Sequence, residues 1–112
     1  MFGNMGNMAG MLKQAQRVQE KMEKAQEEIK SFVADGEAGG GLVKIQMNGN
    51  HEVLKVEIAD SLFADGDKEM CEDLVSAAIT DAIRRINEFS EKKMGQATQG
   101  MPIPPNFKFP GL

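Results

Sequence analysis

The sequence predicts an α+β domain of order α-β-β-β-α, with a three-stranded antiparallel sheet and two long projecting helices. Three observations lead there. Apolar residues recur in a four-three rhythm from Met11 to Phe32, two short runs alternate apolar and polar side chains on either side of Asn48-Gly49-Asn50, and a second helical face runs from Leu74 to Phe89. These patterns are a heptad seam, a hairpin and an amphipathic helix.

The seam comprises Met11, Ala15, Val18, Met22, Ala25, Ile29 and Phe32, separated by helix-favouring Gln, Glu, Lys and Arg. It predicts one helix over about residues 5–31, ended by Asp35-Gly36. Val43, Ile45 and Met47 then alternate with Lys44 and Gln46, and Leu54, Val56 and Ile58 with Lys55 and Glu57. Asn and Gly between them tolerate positive φ, so a tight turn is expected that places Val43 and Ile45 on one face with Leu54 and Val56. A further strand, around Phe32–Ala38, is interrupted by Asp and Gly. Asp60-Ser61 and Asp65-Gly66-Asp67 carry turn and N-cap chemistry, and Glu69, Glu72 and Asp73 follow where negative charge suits a helix start. Leu74, Val75, Ala78, Ile79, Ala82, Ile86 and Phe89 predict a helix from about Asp67 to Met94, packed on the sheet in its first half and increasingly solvated in its second. One domain is expected over 1–99. The tail 100–112 holds all four prolines and is expected to be irregular.

A chain of 112 residues with one cysteine excludes an internal disulfide and fits a reducing cytosol. No apolar run has membrane-spanning length, and "MFGNMGNMAG" lacks the basic start and apolar stretch of a signal peptide, so a cytoplasmic location is expected. The net charge of −4 counts against a simple nucleic-acid-binding surface, yet it is unevenly spread. Residues 11–31 carry +1, residues 32–81 carry −8, residues 82–99 carry +2, and the tail adds Lys108. Location, not total, decides what the charge can do.

The glycine triplet Gly39–Gly41 suggests a phosphate loop, but such loops lead into a helix whose amides hold the anion. Here the triplet leads into a strand, without a following Lys-Ser or Lys-Thr, which favours a turn, a bulge or a close backbone approach. His51 and Cys71 are single; a metal centre needs three or four ligands and a catalytic cysteine needs a base. His51 reads as a solvated turn residue and Cys71 as a small apolar filler. Asp65, Asp67, Glu69, Glu72 and Asp73 lack calcium-loop spacing, and capping explains them. No enzyme, metal or cofactor is expected.

The first helix says more. At 100° per residue Lys13, Arg17, Lys21 and Lys24 fall within about 80° of each other, with Glu20, Glu23 and Glu27 in a separate stripe beside them. Like charges four apart mildly destabilise a helix, and solubility alone would intersperse the signs. Two readings stay open: an ordinary solvated face, or a stripe for a polyanion. Arg84, Arg85, Lys92 and Lys93 make the distal second helix basic too. Seven-residue strands span about 23 Å and 27-residue helices about 40 Å, so the helices overhang the sheet by about 15 Å. The overhanging seam of Val18, Met22, Ala25 and Ile29 would face water in a monomer, and a symmetric dimer would cover it.

Four pieces in order, "KQAQRVQEKMEKAQEEI", "GGGLVKIQMNG", "CEDLVSAAITDAIRRI" and "PPNFKFPG", resemble the YbaB/EbfC family of nucleoid-associated proteins over nearly the whole chain. Cys71 stands where many members have Leu. The resemblance implies an α-β-β-β-α fold, dimers joined through sheets and helix bases with helices projecting like tweezers, and binding to double-stranded DNA with little sequence preference that alters its conformation. It implies a place at the nucleoid and an influence on gene expression. It transfers no contact residue; the expected DNA contacts, Lys13, Arg17, Lys21, Lys24, Arg84, Arg85, Lys92 and Lys93, rest on charge geometry. No small-molecule substrate and no membrane partner are expected. The alternative from another class is a coiled-coil protein-interaction module, in which Met1, Met5, Met8, Met11 and the seam grip a partner helix.

Overall fold

Helix α1 (Phe2–Ser31) is followed by strands β1 (Val33–Ala38), β2 (Val43–Asn48) and β3 (Val53–Ile58), a short helix α2 (Asp60–Ala64) and helix α3 (Lys68–Ala97). The computed structural model describes residues 2–64 and 66–99; the proline-rich tail with Lys108 lies outside the described residues, as do Asp65 and Met1. The sheet is antiparallel in the order β1-β2-β3, as the sequence predicts. The turn chemistry of Asp60-Ser61 opens a short helix, α2, whose Leu62 is buried in the core.

Alternation governs the sheet. Val43, Ile45 and Met47 are buried and Lys44 and Gln46 exposed, and Ile45 pairs with Val56 and Val43 with Ile58 across β2 and β3. The ladder shifts register beside Gln46 and Met47, which bends β3. Helix α3 lies across β1 and β2, and the core is Ala34, Val43, Ile45, Met47, Leu62, Ala78, Ala82 and Ile86. Burying Ile45 alone is worth about 1.5–3 kcal/mol.

β1 is weak in sequence because its Gly36 serves packing. A Cβ there would lie 2.4 Å from the Ala78 carbonyl oxygen and 2.5 Å from the Ala82 nitrogen. Strand and helix touch backbone to backbone at this point, between Ala34 on one side and the fully buried Ala78 and Ala82 on the other. Asp35-Gly36 therefore sits inside a strand and is not what stops α1, which ends where predicted, at Ser31, whose Oγ donates to the Glu27 and Glu28 carbonyls.

The glycine triplet is architectural. Gly39, Gly40 and Gly41 have φ of 64°, 66° and 95° and turn β1 into β2, a backbone region that L-residues enter at a cost of about 1–2 kcal/mol. At the β2–β3 hairpin the outcome differs from expectation. The connection runs over Gly49–Glu52, and the positive φ (63°) belongs to His51. Asn48 Oδ1 accepts from the Asn50 and Glu52 amides at 2.9 and 3.1 Å. Gly49 is needed for proximity: a Cβ would fall 1.6 Å from the Ile29 carbonyl oxygen at the end of α1.

The second half of α3 keeps a buried face, although its other sides are exposed. Beyond Ile86 it turns from the sheet to α1, where Ala25, Ile29 and Met94 form a second cluster with Phe89 and Ala97 against it. Phe32 and Phe89 stack with centroids 3.9 Å apart. Ser90, Met94 and Thr98 are buried as a result.

Candidate nucleic-acid interface

Helix α1 divides at about Lys21. Its C-terminal third packs on α3, whereas every described side chain from Met8 to Arg17 is exposed. At 1.5 Å per residue, Lys21 lies about 12 Å, Arg17 about 18 Å and Lys13 about 24 Å along the axis from Ile29, where the helix meets the hairpin. Lys13, Arg17, Lys21 and Lys24 are exposed, and no ion pair ties any of them to a carboxylate among the described residues.

The basic residues of α3 divide differently. Arg84 and Arg85 both meet the Asp81 carboxylate, Arg85 through Nε at 3.0 Å. The same carboxylate accepts the Glu37 backbone N–H at 3.0 Å, which fastens α3 to β1. The Glu37 amide, then Arg84, lower the Asp81 pKa from 3.8 to about 2, with Arg85 adding to them against the opposing effect of burial. Two of the eight expected contacts are therefore neutralised within the chain, beside the sheet. The pairing was legible in part, since Asp81 precedes the arginines by three and four residues on one helix; the Glu37 amide was not.

Lys93 is also paired, to Glu28 Oε2 at 3.1 Å, and its ammonium lies 5.5 Å from the centre of the Phe89 ring. Lys92 is exposed and joins no ion pair among the described residues. Lys21, Lys24 and Lys93 line one groove between α1 and α3, with Glu28 and Gln96. The structure thus brings three expected residues from two helices together and sets Arg84 and Arg85 apart.

The acidic residues gather elsewhere. Asp35, Glu37 and Glu57 share the outer face of the sheet with Lys44 and Lys55. Lys55 pairs with Glu57 at 2.8 Å; hydrogen bonding and charge raise the pKa of the lysine and lower that of the glutamate. Asp67 caps α3, accepting the Met70 amide at 2.9 Å. Among the described residues no group of three His, Cys, Asp or Glu is placed to hold a metal, and no helix is long and apolar enough to cross a membrane. His51 is exposed and Cys71 half-buried.

The expected dimer seam is partly occupied. Ala25 and Ile29 are 5% and 7% exposed, covered by α3 of the same chain, while Val18 and Met22 are half-buried. One apolar surface left open lies on β3, where Val53, Leu54 and Val56 are 46%, 54% and 48% exposed because α3 does not reach that strand. Sequence alternation could not show this, because it cannot tell which strand the helix covers.

Residues 5–101 match the family model of the YbaB/EbfC DNA-binding family. The chain belongs to that family. Its members are DNA-binding, nucleoid-associated proteins, which places a binding function ahead of a catalytic one. Among solved structures, an uncharacterized protein, HP0035, from Helicobacter pylori is similar, with 26% identity and a TM-score of 0.54 over 76% of this chain and 90% of that one. The fold has the α-β-β-β-α order that the sequence predicts, with the short α2 before α3.

Proposed function

We propose that this protein binds duplex DNA as a homodimer at the nucleoid, with little sequence preference, and alters DNA conformation, thereby affecting nucleoid organisation and gene expression. It acts in the cytoplasm by binding, without catalysis, cofactor or small-molecule substrate. The observation that carries this is the row Lys13, Arg17, Lys21 and Lys24, exposed and without an ion pair among the described residues, running from the packed end of α1 out along its free length in a DNA-binding family. Ammonium and guanidinium groups on phosphate position a protein without reading bases. The Debye length at physiological salt is about 8 Å, so groups about 12–24 Å along the helix from its sheet end feel little of the acidic sheet.

The dimer is supported by β3. An edge strand showing Val53, Leu54 and Val56 to water invites pairing with another chain. Antiparallel pairing of two β3 strands about Val56 sets Lys55 opposite the partner's Glu57, whereas the neighbouring registers of the same face oppose like charges. Val18 and Met22 keep part of their surface for a second copy; Ala25 and Ile29 have little left.

Titration with unrelated duplexes at two salt concentrations tests the DNA reading. Affinity should fall steeply with salt. Arg17→Gln with Lys21→Gln should weaken all duplexes alike and flatten the salt slope by about one unit per lost contact. A folded double variant with unchanged affinity and slope makes the row a solvated face. One observation favours the protein-interaction alternative: Met8, Met11 and Leu12 are 69%, 69% and 63% exposed. Capture of an apolar partner helix would be nearly independent of salt.

A further inference from the structure

The groove between α1 and α3 has a volume of about 270 Å³. Its floor is Ala25 and Ala97, small enough to let a ligand reach the walls. On the walls stand Lys21 and Lys24 from α1, Lys93 and Gln96 from α3, and one carboxylate, Glu28. Three ammonium groups face one carboxylate, so the groove carries an excess of positive charge although the protein as a whole is acidic. Lys93 is held in place rather than waving in solvent. Its side chain is 31% exposed, paired with Glu28 at 3.1 Å and lying near Phe89, whose ring is fixed by stacking on Phe32.

We infer that this groove seats one phosphate of the DNA backbone and that Glu28 is its internal stand-in. In the free protein the Glu28 carboxylate answers the charge of Lys93. A backbone phosphate entering between the helices would take Lys93 from Glu28, gather Lys21 and Lys24, and accept a hydrogen bond from the Gln96 amide. The inference rests on the DNA-binding reading and adds to it: a contact made by two helices at once, a residue (Gln96) that charge patterning does not reveal, and a built-in competitor that limits affinity. Lysine suits such a seat because its ammonium acts as a point charge with three rotatable donors.

A double-mutant cycle tests it, with DNA affinity and its salt dependence as readout. Glu28→Gln should tighten binding about fivefold, the upper range for releasing a partly exposed ion pair, and should steepen the salt slope by about one unit as Lys93 becomes free to meet phosphate. Lys93→Gln should weaken binding and flatten the slope by about one unit. With Lys93 already Gln, Glu28→Gln should lose most of its gain and leave the slope unchanged. Both changes keep a helix-compatible residue, and melting curves check that the helices stay paired. Should Lys93→Gln disturb that pairing, Lys93→Met, which keeps the apolar stem beside Phe89 and a helix-favouring residue, takes its place in the cycle.

The inference is overturned if Glu28→Gln gives the same gain and slope in both backgrounds, for then it acts only as the loss of one negative charge. Wild-type protein that binds no DNA at low salt would sink the proposed function itself. Wild-type protein that binds DNA while the cycle is additive would sink only the phosphate seat.

Discussion

Replacing Asp81 by Asn keeps the shape of the side chain and removes its charge. In the folded chain this carboxylate accepts the Glu37 amide at 3.0 Å and Arg85 Nε at 3.0 Å and meets Arg84 as well. Those contacts bring its pKa from 3.8 to about 2. At about 1.36 kcal/mol per unit the shift sets a ceiling of about 2.4 kcal/mol. The arginine side chains are 65% and 48% exposed, however, and exposed pairs return about 1 kcal/mol or less. Asn can still accept the Glu37 amide. The expected loss is therefore about 1 kcal/mol, a fall of about 6 °C in Tm for a domain of this size. The sign with pH follows from the depressed pKa. The contribution is complete above the ordinary value of 3.8 and is lost as pH falls toward about 2. Thermal melts followed by circular dichroism, near neutral pH and near the folded pKa, should show a gap between variant and wild type that closes in acid. DNA titration of the same variant should show tighter binding, since Arg84 and Arg85 are released. A Tm gap of equal size at both pH values, or no gap at either, refutes the ionic account of Asp81.

Gly36→Ala should destabilise by about 3 kcal/mol in urea titrations, because the added methyl meets backbone atoms of Ala78 and Ala82 at 2.4 and 2.5 Å; a neutral result would mean that β1 does not sit on α3 so closely. Gly40→Ala, where φ is 66° with nothing near the new methyl, should cost only about 1 kcal/mol, so the two glycines separate crowding from backbone strain. Ile86→Ala, at 1% exposure in the main core, should cost about 3 kcal/mol by the same measurement. If the proposed β3 dimer forms, Val56→Glu should convert it to a folded 12.2 kDa monomer in sedimentation; a variant that remains dimeric moves the interface away from β3, and a monomeric wild type removes the dimer.

What the sequence by itself determined are the features set by neighbours along the chain. The heptad rhythm made α1, the alternation of Val43, Ile45 and Met47 made β2, and Asp67 with the face from Leu74 to Ile86 made α3. The stripe from Lys13 to Lys24 is likewise a consequence of helical geometry alone. Tertiary structure decided how those pieces are used. Asp81 meets the Glu37 amide across 44 residues, which no local pattern reveals, whereas its spacing to Arg84 and Arg85 on one helix does show along the chain. Ala25 and Ile29 look like an open seam until α3 turns from the sheet and covers them, while Leu54 and Val56 look like core until the same helix stops short of β3. Gly36 and Gly49 look like breaks in a pattern, and become necessary only where another backbone arrives within van der Waals reach. Periodicity tells which side of an element is apolar; which element comes to cover that side depends on packing between segments distant in the chain.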